Sequence, residues 1–253
     1  MSRMLDHLPR PMIFAHRGSS AHAPENTLAA FELAVNHGAD AIELDAKLSA
    51  DGQVMVIHDQ TVDRTTPSLG RVGDLSLAAL QRLDAGSYFD FAFRNQHIPT
   101  LDEVFASVGR QIYINVELTN YASPFDDLPK RVAELVRFYH MERQVLFSSF
   151  NPIALLRIRS YLPTAPTAIL AMAGMNGAWA RSGLVSHWLG CQALHPATPD
   201  VTAALVDSAH RRGQRVHVYT VNQPEEMRRL LEMGVDGIFT DDPLLARQVI
   251  KIH

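Results

Sequence analysis

The sequence predicts an α/β fold, a (β/α)8 barrel of the TIM type with a β-hairpin at its mouth and a small insertion after the hairpin. Nine short apolar runs typical of β-strands alternate with amphipathic stretches typical of helices. Two of these runs lie too close together for a parallel crossover, which leaves eight strands that can run parallel. The chain has 253 residues, a usual length for one barrel of eight strand–helix units.

The predicted strands are runs of mostly apolar residues bounded by polar or turn-forming residues. In chain order they are Met12–Ala15, Ala41–Leu48, Val54–His58, Ile112–Leu118, Val145–Ser148, Ala168–Ala171, Cys191–His195, Val216–Thr220 and Gly237–Thr240. Helical patterns lie between most of them. Leu28, Phe31 and Val35 form an apolar stripe after a candidate cap at Asn26, and a later helix begins at Pro224.

The second and third predicted strands form a hairpin. Only the five residues Ser49–Gln53 separate them, and the pair Asp51-Gly52 favours a tight turn. If these two residues form the turn, the pairing of the two arms places Asp45 opposite His58.

Residues 62–100 follow neither a strand period nor a helix period over their whole length. They contain a short helical stretch near Leu75–Leu83 and an aromatic cluster between Tyr88 and Phe93. We predict an inserted subdomain over one side of the barrel mouth, within a single domain that spans residues 1–253.

Composition and charge restrict the class of partner. The chain is 47% hydrophobic and 20% charged, and its net charge of −4 comes without a run of Lys or Arg. No nucleic-acid partner is expected, because phosphate backbones bind to basic surfaces. The single cysteine, Cys191, excludes an intramolecular disulfide and multi-cysteine zinc sites. The start of the chain has no leader-like apolar segment, so we expect a cytoplasmic protein without stable membrane association.

The first predicted strand runs into His16, Arg17 and Gly18. Barrels of this kind place their active sites at this end of their strands. His16 is a candidate acid or base and Arg17 a candidate anion clamp, although capping or packing also explains a histidine here. Glu25 stands where a helix starts, and a favourable interaction with the helix dipole explains an acid at this position.

Carboxylates from two predicted strands are expected to converge. Glu43 and Asp45 share one face of their strand, and Glu117 joins them from the neighbouring strand of the barrel, because side chains alternate along a strand. Three carboxylates suit a hard divalent cation, Mg²⁺ or Ca²⁺, better than zinc. A solvated pair of acids at a strand end is the alternative for Glu43 and Asp45. With a cation bound, His16 and His58 are better interpreted as acid and base than as metal ligands.

A series of short motifs occurs in one order along nearly the whole chain, roughly residues 12–244. They are His16-Arg17-Gly18, Pro24-Glu25-Asn26-Thr27, Ile42-Glu43-Leu44-Asp45, Asp51-Gly52, His58-Asp59, Asp63-Arg64-Thr65-Thr66, Leu83-Asp84-Ala85-Gly86-Ser87, Ile98-Pro99-Thr100-Leu101, Asn115-Val116-Glu117, Thr220-Val221-Asn222 and Gly234-Val235-Asp236-Gly237-Ile238-Phe239-Thr240-Asp241. Each string is common by itself, but the ordered set is specific. In this order the motifs resemble the glycerophosphodiester phosphodiesterase family.

The resemblance implies a barrel enzyme that cleaves a small phosphodiester with the help of one divalent cation, Mg²⁺ or Ca²⁺. Matched motif by motif, it assigns metal binding to Glu43, Asp45 and Glu117, catalysis to His16 and His58, and substrate binding to Arg17 and Tyr219. It also implies a second interpretation of Glu25, as a residue that orients His16 and Arg17. The implied reaction is hydrolysis of glycerophosphodiesters, such as glycerophosphocholine or glycerophosphoethanolamine, to sn-glycerol 3-phosphate and an alcohol. Water and the glycerol hydroxyl next to the ester are both candidates for the attacking oxygen.

Two other functions stay open at this point. The first is a phospholipase C-like or D-like enzyme on lipids, for which the aromatic cluster near Tyr88 would contact the membrane. The second is a non-catalytic binding protein on the same barrel. Against the second, every predicted ligand and both histidines are present.

Two positions depart from the family pattern. The family usually has a lysine two residues after the Glu117 position, where it helps to hold the phosphate, and this chain has Thr119 there. Lys47 shares the face of Asp45 and is a candidate substitute, although a solvated lysine near the hairpin turn is the preferred interpretation. Tyr219 stands where the family commonly has tryptophan, which keeps an aromatic wall with a polar tip.

Overall fold

Eight parallel strands and one antiparallel strand form the centre of the molecule. The computed structural model describes residue 5 and residues 8–252. The strands are β1 Met12–Ala15, β2 Ala41–Leu48, β3 Val54–Val56, β4 Tyr113–Leu118, β5 Val145–Ser149, β6 Thr167–Ala171, β7 Ala193–Pro196, β8 Arg215–Val218 and β9 Gly237–Thr240. Three of them, β1, β2 and β9, have the predicted bounds, and the others differ by one or two residues at one end or, for β7 and β8, at both ends.

The parallel strands close into a barrel. β1 pairs with β2 on one side and with β9 on the other, and β4, β5, β6, β7 and β8 complete the ring in chain order. β3 runs antiparallel to β2, outside the closed ring. The predicted (β/α)8 barrel with its hairpin is confirmed. The carboxyl ends of the eight parallel strands therefore meet at one mouth, where loops of this fold carry function.

The register of the hairpin differs from the prediction by one residue. Lys47 pairs with Met55, and the Asp45 carbonyl accepts a hydrogen bond of 2.9 Å from the Ile57 N–H. Asp45 thus faces Ile57, and the predicted pairing with His58 is wrong. The cause is a three-residue loop that ends at Gly52, whose left-handed φ of 75° is typical of such loops.

Helices surround the barrel between most of its strands. They are α1 Leu28–Asn36, α2 Leu77–Leu80, α3 Leu101–Val108, α4 Leu128–Phe138, α5 Pro152–Tyr161, α6 Ala178–Arg181, α7 Leu184–Leu189, α8 Ala203–Arg211, α9 Pro224–Glu232 and α10 Pro243–Ile252. Thr27 caps α1, and the predicted cap at Asn26 is wrong. Asn26 has a left-handed φ of 56°, which turns its amide away from the helix and towards Asp45. Threonine, like asparagine, is a common N-cap residue, so both positions carry a side chain that can cap a helix.

Residues 62–100 pack on the hairpin through a small apolar cluster of their own. This cluster consists of Met55, Ile57, Val62, Val72, Leu80, Ala85 and Ile98. The only α-helix of the segment is α2, which is shorter than the predicted stretch Leu75–Leu83. The hairpin and the segment after it therefore form one packed unit beside the barrel mouth.

Two histidines lie in the barrel interior. His195 and His217 are fully buried, and Nε2 of the first lies 3.1 Å from Nδ1 of the second. The rings of Phe14 and Phe239 pack beside them. Burial lowers the pKa of His195 to about 3, and burial together with nearby positive groups lowers the pKa of His217 well below its usual value. The structure thus makes His195 and His217 core residues.

This histidine pair is expected to make the protein sensitive to acid. Both pKa values are lower in the folded state, so the unfolded chain binds more protons once the pH falls below about 6.5. As the pH falls further, each histidine should lower the free energy of unfolding by about 1.4 kcal/mol per pH unit. For His195 this decrease should continue down to its folded pKa of about 3. We expect His217→Gln to reduce the slope of unfolding free energy against pH by about this amount, measured by urea unfolding at several pH values between 4.5 and 6. The exposed His187→Gln is the control, and equal slopes for all three proteins would contradict the prediction.

Within the part of the chain that the structure describes, no helix has both the length and the apolar content needed to cross a membrane. The expectation of a cytoplasmic protein rests partly on the first residues of the chain. Of these, residues 1–4, 6 and 7 lie outside the described part.

Candidate active site

Three carboxylates from β2 and β4 face the barrel interior near its mouth. In the parallel register of the two strands, Glu43 pairs with Asn115 and Asp45 pairs with Glu117. Side chains two residues apart share a face, so all three acids point inward. Their ligand oxygens lie within 4.8 Å of one another. The structure therefore brings together the three residues that the sequence predicts as metal ligands, here called the carboxylate cluster.

The carboxylate cluster is costly to ionise without a positive charge. Burial, with the negative charges of Asp45 and Glu117, raises the pKa of Glu43 well above its usual value. Burial and the charge of Asp45 also raise the pKa of Glu117 to about 8. A doubly charged cation would relieve this repulsion, and a set of carboxylate oxygens is the donor set that Mg²⁺ and Ca²⁺ prefer. The residues present fit such an ion.

Arg17 lies at the edge of the carboxylate cluster because of a sharp turn after β1. Its own φ is 56°, and Gly18 follows with a φ of 85°, where a Cβ atom would lie 2.7 Å from Ala30. The turn directs the Arg17 backbone N–H to Glu43 at 3.0 Å. The guanidinium donates to Glu25 at 2.9 Å, and its Nε lies 3.5 Å from Asp45. Glu25 therefore orients Arg17 and is not in the α1 cap.

Both predicted catalytic histidines line the cavity that contains the carboxylate cluster. This cavity has a volume of about 230 Å³ and also includes Arg17 and Tyr219 in its wall. Nδ1 of His16 bonds to Asp241 at 2.7 Å, and Nδ1 of His58 bonds to Asp59 at 2.6 Å. A carboxylate on Nδ1 fixes the ring orientation and leaves Nε2 for proton exchange.

The two carboxylates that hold the histidines are ionised. Burial alone would raise the pKa of Asp59, but hydrogen bonds from Arg64 and His58 outweigh it and lower the pKa to about 2. Burial likewise opposes ionisation of Asp241, and the hydrogen bond with His16 is the largest of the contacts that lower its pKa. Sequence reasoning did not assign a role to either residue, although both belong to the ordered motifs.

Arg64 connects the residue that supports Arg17 with the residue that supports His58. Its terminal nitrogens donate to both carboxylate oxygens of Glu25 at 2.7 Å, and its Nε donates to Asp59 at 2.7 Å. Glu25 contacts Arg17 and Asp59 contacts His58, so one guanidinium fixes the supports of two functional side chains. Arg64 is thus a third residue, after Asp59 and Asp241, to which the sequence analysis assigned no role.

Aromatic side chains form another wall of the cavity. The Tyr219 ring packs edge-on against Phe150, and its hydroxyl donates to the Ala171 carbonyl at 2.8 Å. Tyr219 therefore presents its ring to the cavity, while the polar tip that the sequence analysis noted is bonded to backbone. Tyr121 also packs edge-on against Phe150, and its hydroxyl donates to the Glu117 carboxylate.

Lys47 is buried, so the preferred interpretation of a solvated lysine is wrong. Only 6% of the residue is exposed, and its ammonium donates to the Thr119 hydroxyl at 2.5 Å. Its position two residues after Asp45 on β2 points it inward like the carboxylates. From the sequence, a lysine near a hairpin turn is expected to be solvated, because the sequence does not show that the barrel closes around it.

Comparison with known proteins shows the family to which the chain belongs. The sequence model described as the Glycerophosphoryl diester phosphodiesterase family matches residues 16–245. The chain belongs to this family. The glycerophosphodiester phosphodiesterase of Caldanaerobacter subterraneus subsp. tengcongensis is 36% identical over 235 residues, which cover 92% of this chain and 95% of that protein.

Solved structures of glycerophosphodiester phosphodiesterases have the same architecture. A phosphodiesterase of Oleispira antarctica, solved in complex with the product sn-glycerol-3-phosphate, matches with a TM-score of 0.90 and 30% identity over 99% of this chain and all of that one. A glycerophosphodiester phosphodiesterase from Agrobacterium tumefaciens matches with a TM-score of 0.82 and 31% identity, covering 94% of this chain and 99% of that one. The predicted family, fold and enzyme class are confirmed.

Proposed function

We propose that this enzyme hydrolyses glycerophosphodiesters such as glycerophosphocholine or glycerophosphoethanolamine to sn-glycerol 3-phosphate and an alcohol, with one divalent cation, Mg²⁺ or Ca²⁺, and two catalytic histidines. One observation carries the proposal: His16, His58, Arg17 and the carboxylate cluster line a single cavity. The Oleispira relative, whose structure holds sn-glycerol-3-phosphate, supports this choice of product.

Glu43, Asp45 and Glu117 would hold the cation. A divalent ion bound there would supply charge neutralisation at the phosphate oxygens of the substrate. Arg17 adds a fixed positive charge beside the same oxygens, and Glu25 and Glu43 hold it in place. The cavity thus lowers the repulsion that a phosphodiester anion presents to an attacking oxygen.

His16 and His58 would move the two protons of the reaction. One Nε2 takes a proton from the attacking oxygen, and the other gives a proton to the oxygen of the departing alcohol. Asp241 and Asp59 keep each ring in the tautomer that exposes Nε2 to the cavity. A neighbouring cavity of about 420 Å³ shares His16 and Arg17 with the first, which gives room for the second arm of the diester.

Incubation with glycerophosphocholine in Mg²⁺ or Ca²⁺ tests the proposal. Release of sn-glycerol 3-phosphate and choline in equal amounts supports it. Binding of glycerophosphocholine without release would indicate a binding protein instead. Release of the choline-containing headgroup from phosphatidylcholine vesicles, without turnover of glycerophosphocholine, would indicate a lipid-cleaving enzyme.

Removal of divalent ions with EDTA is expected to lower this turnover about 100-fold or more. The reason is that the phosphodiester charge would then face three carboxylates with only the protein's own cations to offset it. Addition of Mg²⁺ or Ca²⁺ in excess should restore the rate. Full turnover after exhaustive dialysis against EDTA would contradict the proposed cation requirement.

A further inference from the structure

Asn115 is a buried residue of β4 whose side-chain oxygen has no hydrogen-bond partner among the residues that the structure describes. Only 1% of the residue is exposed. Its Nδ2 donates to the Ser148 hydroxyl at 2.8 Å, and this bond fixes the amide group. Leaving a buried acceptor without a partner is costly, so a partner outside the protein is expected for Oδ1.

Asn115 completes a square of four inward-facing residues with the carboxylate cluster. In the register of β2 and β4 it pairs with Glu43, and Asp45 pairs with Glu117 one layer nearer the mouth. Neighbouring strands lie about 4.8 Å apart, and residues two apart along a strand share a face about 6.5 Å apart. Asn115 is therefore next to Glu43 across the strands and next to Glu117 along β4. It lines the same cavity as the three acids.

The Asn115 oxygen has an unfavourable environment in the metal-free protein. Its partial negative charge lies beside three buried or half-buried carboxylates, which also carry negative charge when they are ionised. A cation between these oxygens would reverse the sign of the interaction. The amide oxygen of asparagine is an ordinary ligand of hard divalent ions, together with carboxylates. The chemistry that suits the cluster therefore suits the fourth residue of the square as well.

We propose that Oδ1 of Asn115 is a fourth protein ligand of the divalent cation, and the neutral one of the set. The inference rests on the proposed function, which assigns the cation to the carboxylate cluster. A neutral oxygen adds a ligand without a fourth negative charge, so it adds less repulsion towards a phosphodiester anion than another acid would. The alternatives are a contact with a hydroxyl group of the substrate and a structural role through the bond to Ser148.

Two variants and a matched control separate these roles. Asn115→Leu removes the oxygen at similar volume, whereas Asn115→Asp keeps an oxygen and loses the Nδ2 donor. Asn120→Leu is the control, because Asn120 is also buried with an Oδ1 that lacks a partner in the described part of the chain, but it lines a different cavity. Calorimetry measures Mg²⁺ and Ca²⁺ binding, and then sn-glycerol 3-phosphate binding to the metal-saturated proteins. Turnover of glycerophosphocholine by the unmodified protein tests the proposed function independently.

We expect Asn115→Leu to weaken the binding of both ions about tenfold or more, because the number and charge of the oxygen ligands set the affinity of such sites. Asn115→Asp should bind both ions at least as tightly as the unmodified protein, since a charged oxygen replaces a neutral one. Asn120→Leu should keep the parental affinity. Recovery in Asn115→Asp separates the oxygen from the Nδ2 donor, which both Asn115 variants lack.

Parental affinity of folded Asn115→Leu for both ions would overturn the proposal, and weaker sn-glycerol 3-phosphate binding in that case would assign Asn115 to a substrate hydroxyl. Equal losses in Asn115→Leu and Asn115→Asp would overturn it in favour of the structural role. An unmodified protein that binds neither ion would overturn the inference together with the proposed cation. If Asn115→Leu does not fold, Asn115→Ala removes the same oxygen without new bulk, and its parental affinity would count equally against the proposal.

Discussion

Replacing His16 or His58 with alanine is expected to lower kcat on glycerophosphocholine by a factor of about 100 or more. Each ring lines the cavity of the carboxylate cluster, and each bonds through Nδ1 to a carboxylate that leaves Nε2 free. Loss of either ring removes the proposed acid or the proposed base, while the proposed phosphate contact of Arg17 stays in place. We therefore expect kcat to fall much more than KM rises in steady-state assays of sn-glycerol 3-phosphate release.

The pH profile and a matched histidine strengthen this test. A bell-shaped profile should lose one limb in His16→Ala and the other limb in His58→Ala, because each variant lacks one of the two groups. His97 also pairs with a carboxylate, Glu103 at 3.2 Å, but does not line the cavity, so His97→Ala should keep the parental kcat. Near-parental kcat in both alanine variants of His16 and His58 would rule out their proposed roles.

The residues of the site that lie within strands were predictable from the sequence. Glu43, Asp45 and Glu117 lie within strands whose apolar alternation is clear, and the period of two fixes the face that each side chain takes. Strand adjacency then follows from the closed parallel barrel. Prediction succeeded here because the positions depend on regular backbone.

The positions of the site residues in loops depend on contacts that the periodicity of the sequence does not indicate. His16 and Asp241 meet across 225 residues of sequence, and only closure of β1 against β9 makes them neighbours. The hairpin prediction was off by one residue because the loop uses three residues where the pattern allowed two. His58 nevertheless reaches the cavity, since it follows β3 and its direction is set by the loop and by Asp59.

Lys47 shows a different limit of sequence reasoning. Its place on the inward face of β2 follows from alternation, but burial depends on what covers the strand end. The neighbouring Thr119 is short enough to leave space for the lysine side chain, and the ammonium fills it. The contact between Lys47 and Thr119 therefore becomes visible only when both strands are placed.

Replacing Glu43 with glutamine is expected to stabilise the metal-free protein while weakening metal binding. The pKa of Glu43 is raised in the folded state, so its ionisation destabilises the fold increasingly as the pH rises above the unfolded value near 4.3. Glutamine resembles the protonated acid and avoids this cost. At pH 7.5 in EDTA, we expect the unfolding free energy of Glu43→Gln to exceed that of the unmodified protein by about 1 kcal/mol or more, as one pKa unit corresponds to about 1.4 kcal/mol.

The same variant should bind Mg²⁺ about 100-fold more weakly and lose a comparable factor in kcat, because a neutral amide replaces one of three charged ligands. Urea unfolding in EDTA and Mg²⁺ titration calorimetry measure the two effects. The stability gain should shrink as the pH falls through the raised pKa of Glu43 towards the unfolded value, because the unmodified protein then carries a neutral side chain at this position as well. Glu134→Gln, an exposed change on α4, controls for the substitution itself. A metal-free Glu43→Gln that is less stable than the parent and binds Mg²⁺ equally well would show that the three acids do not form a cation site.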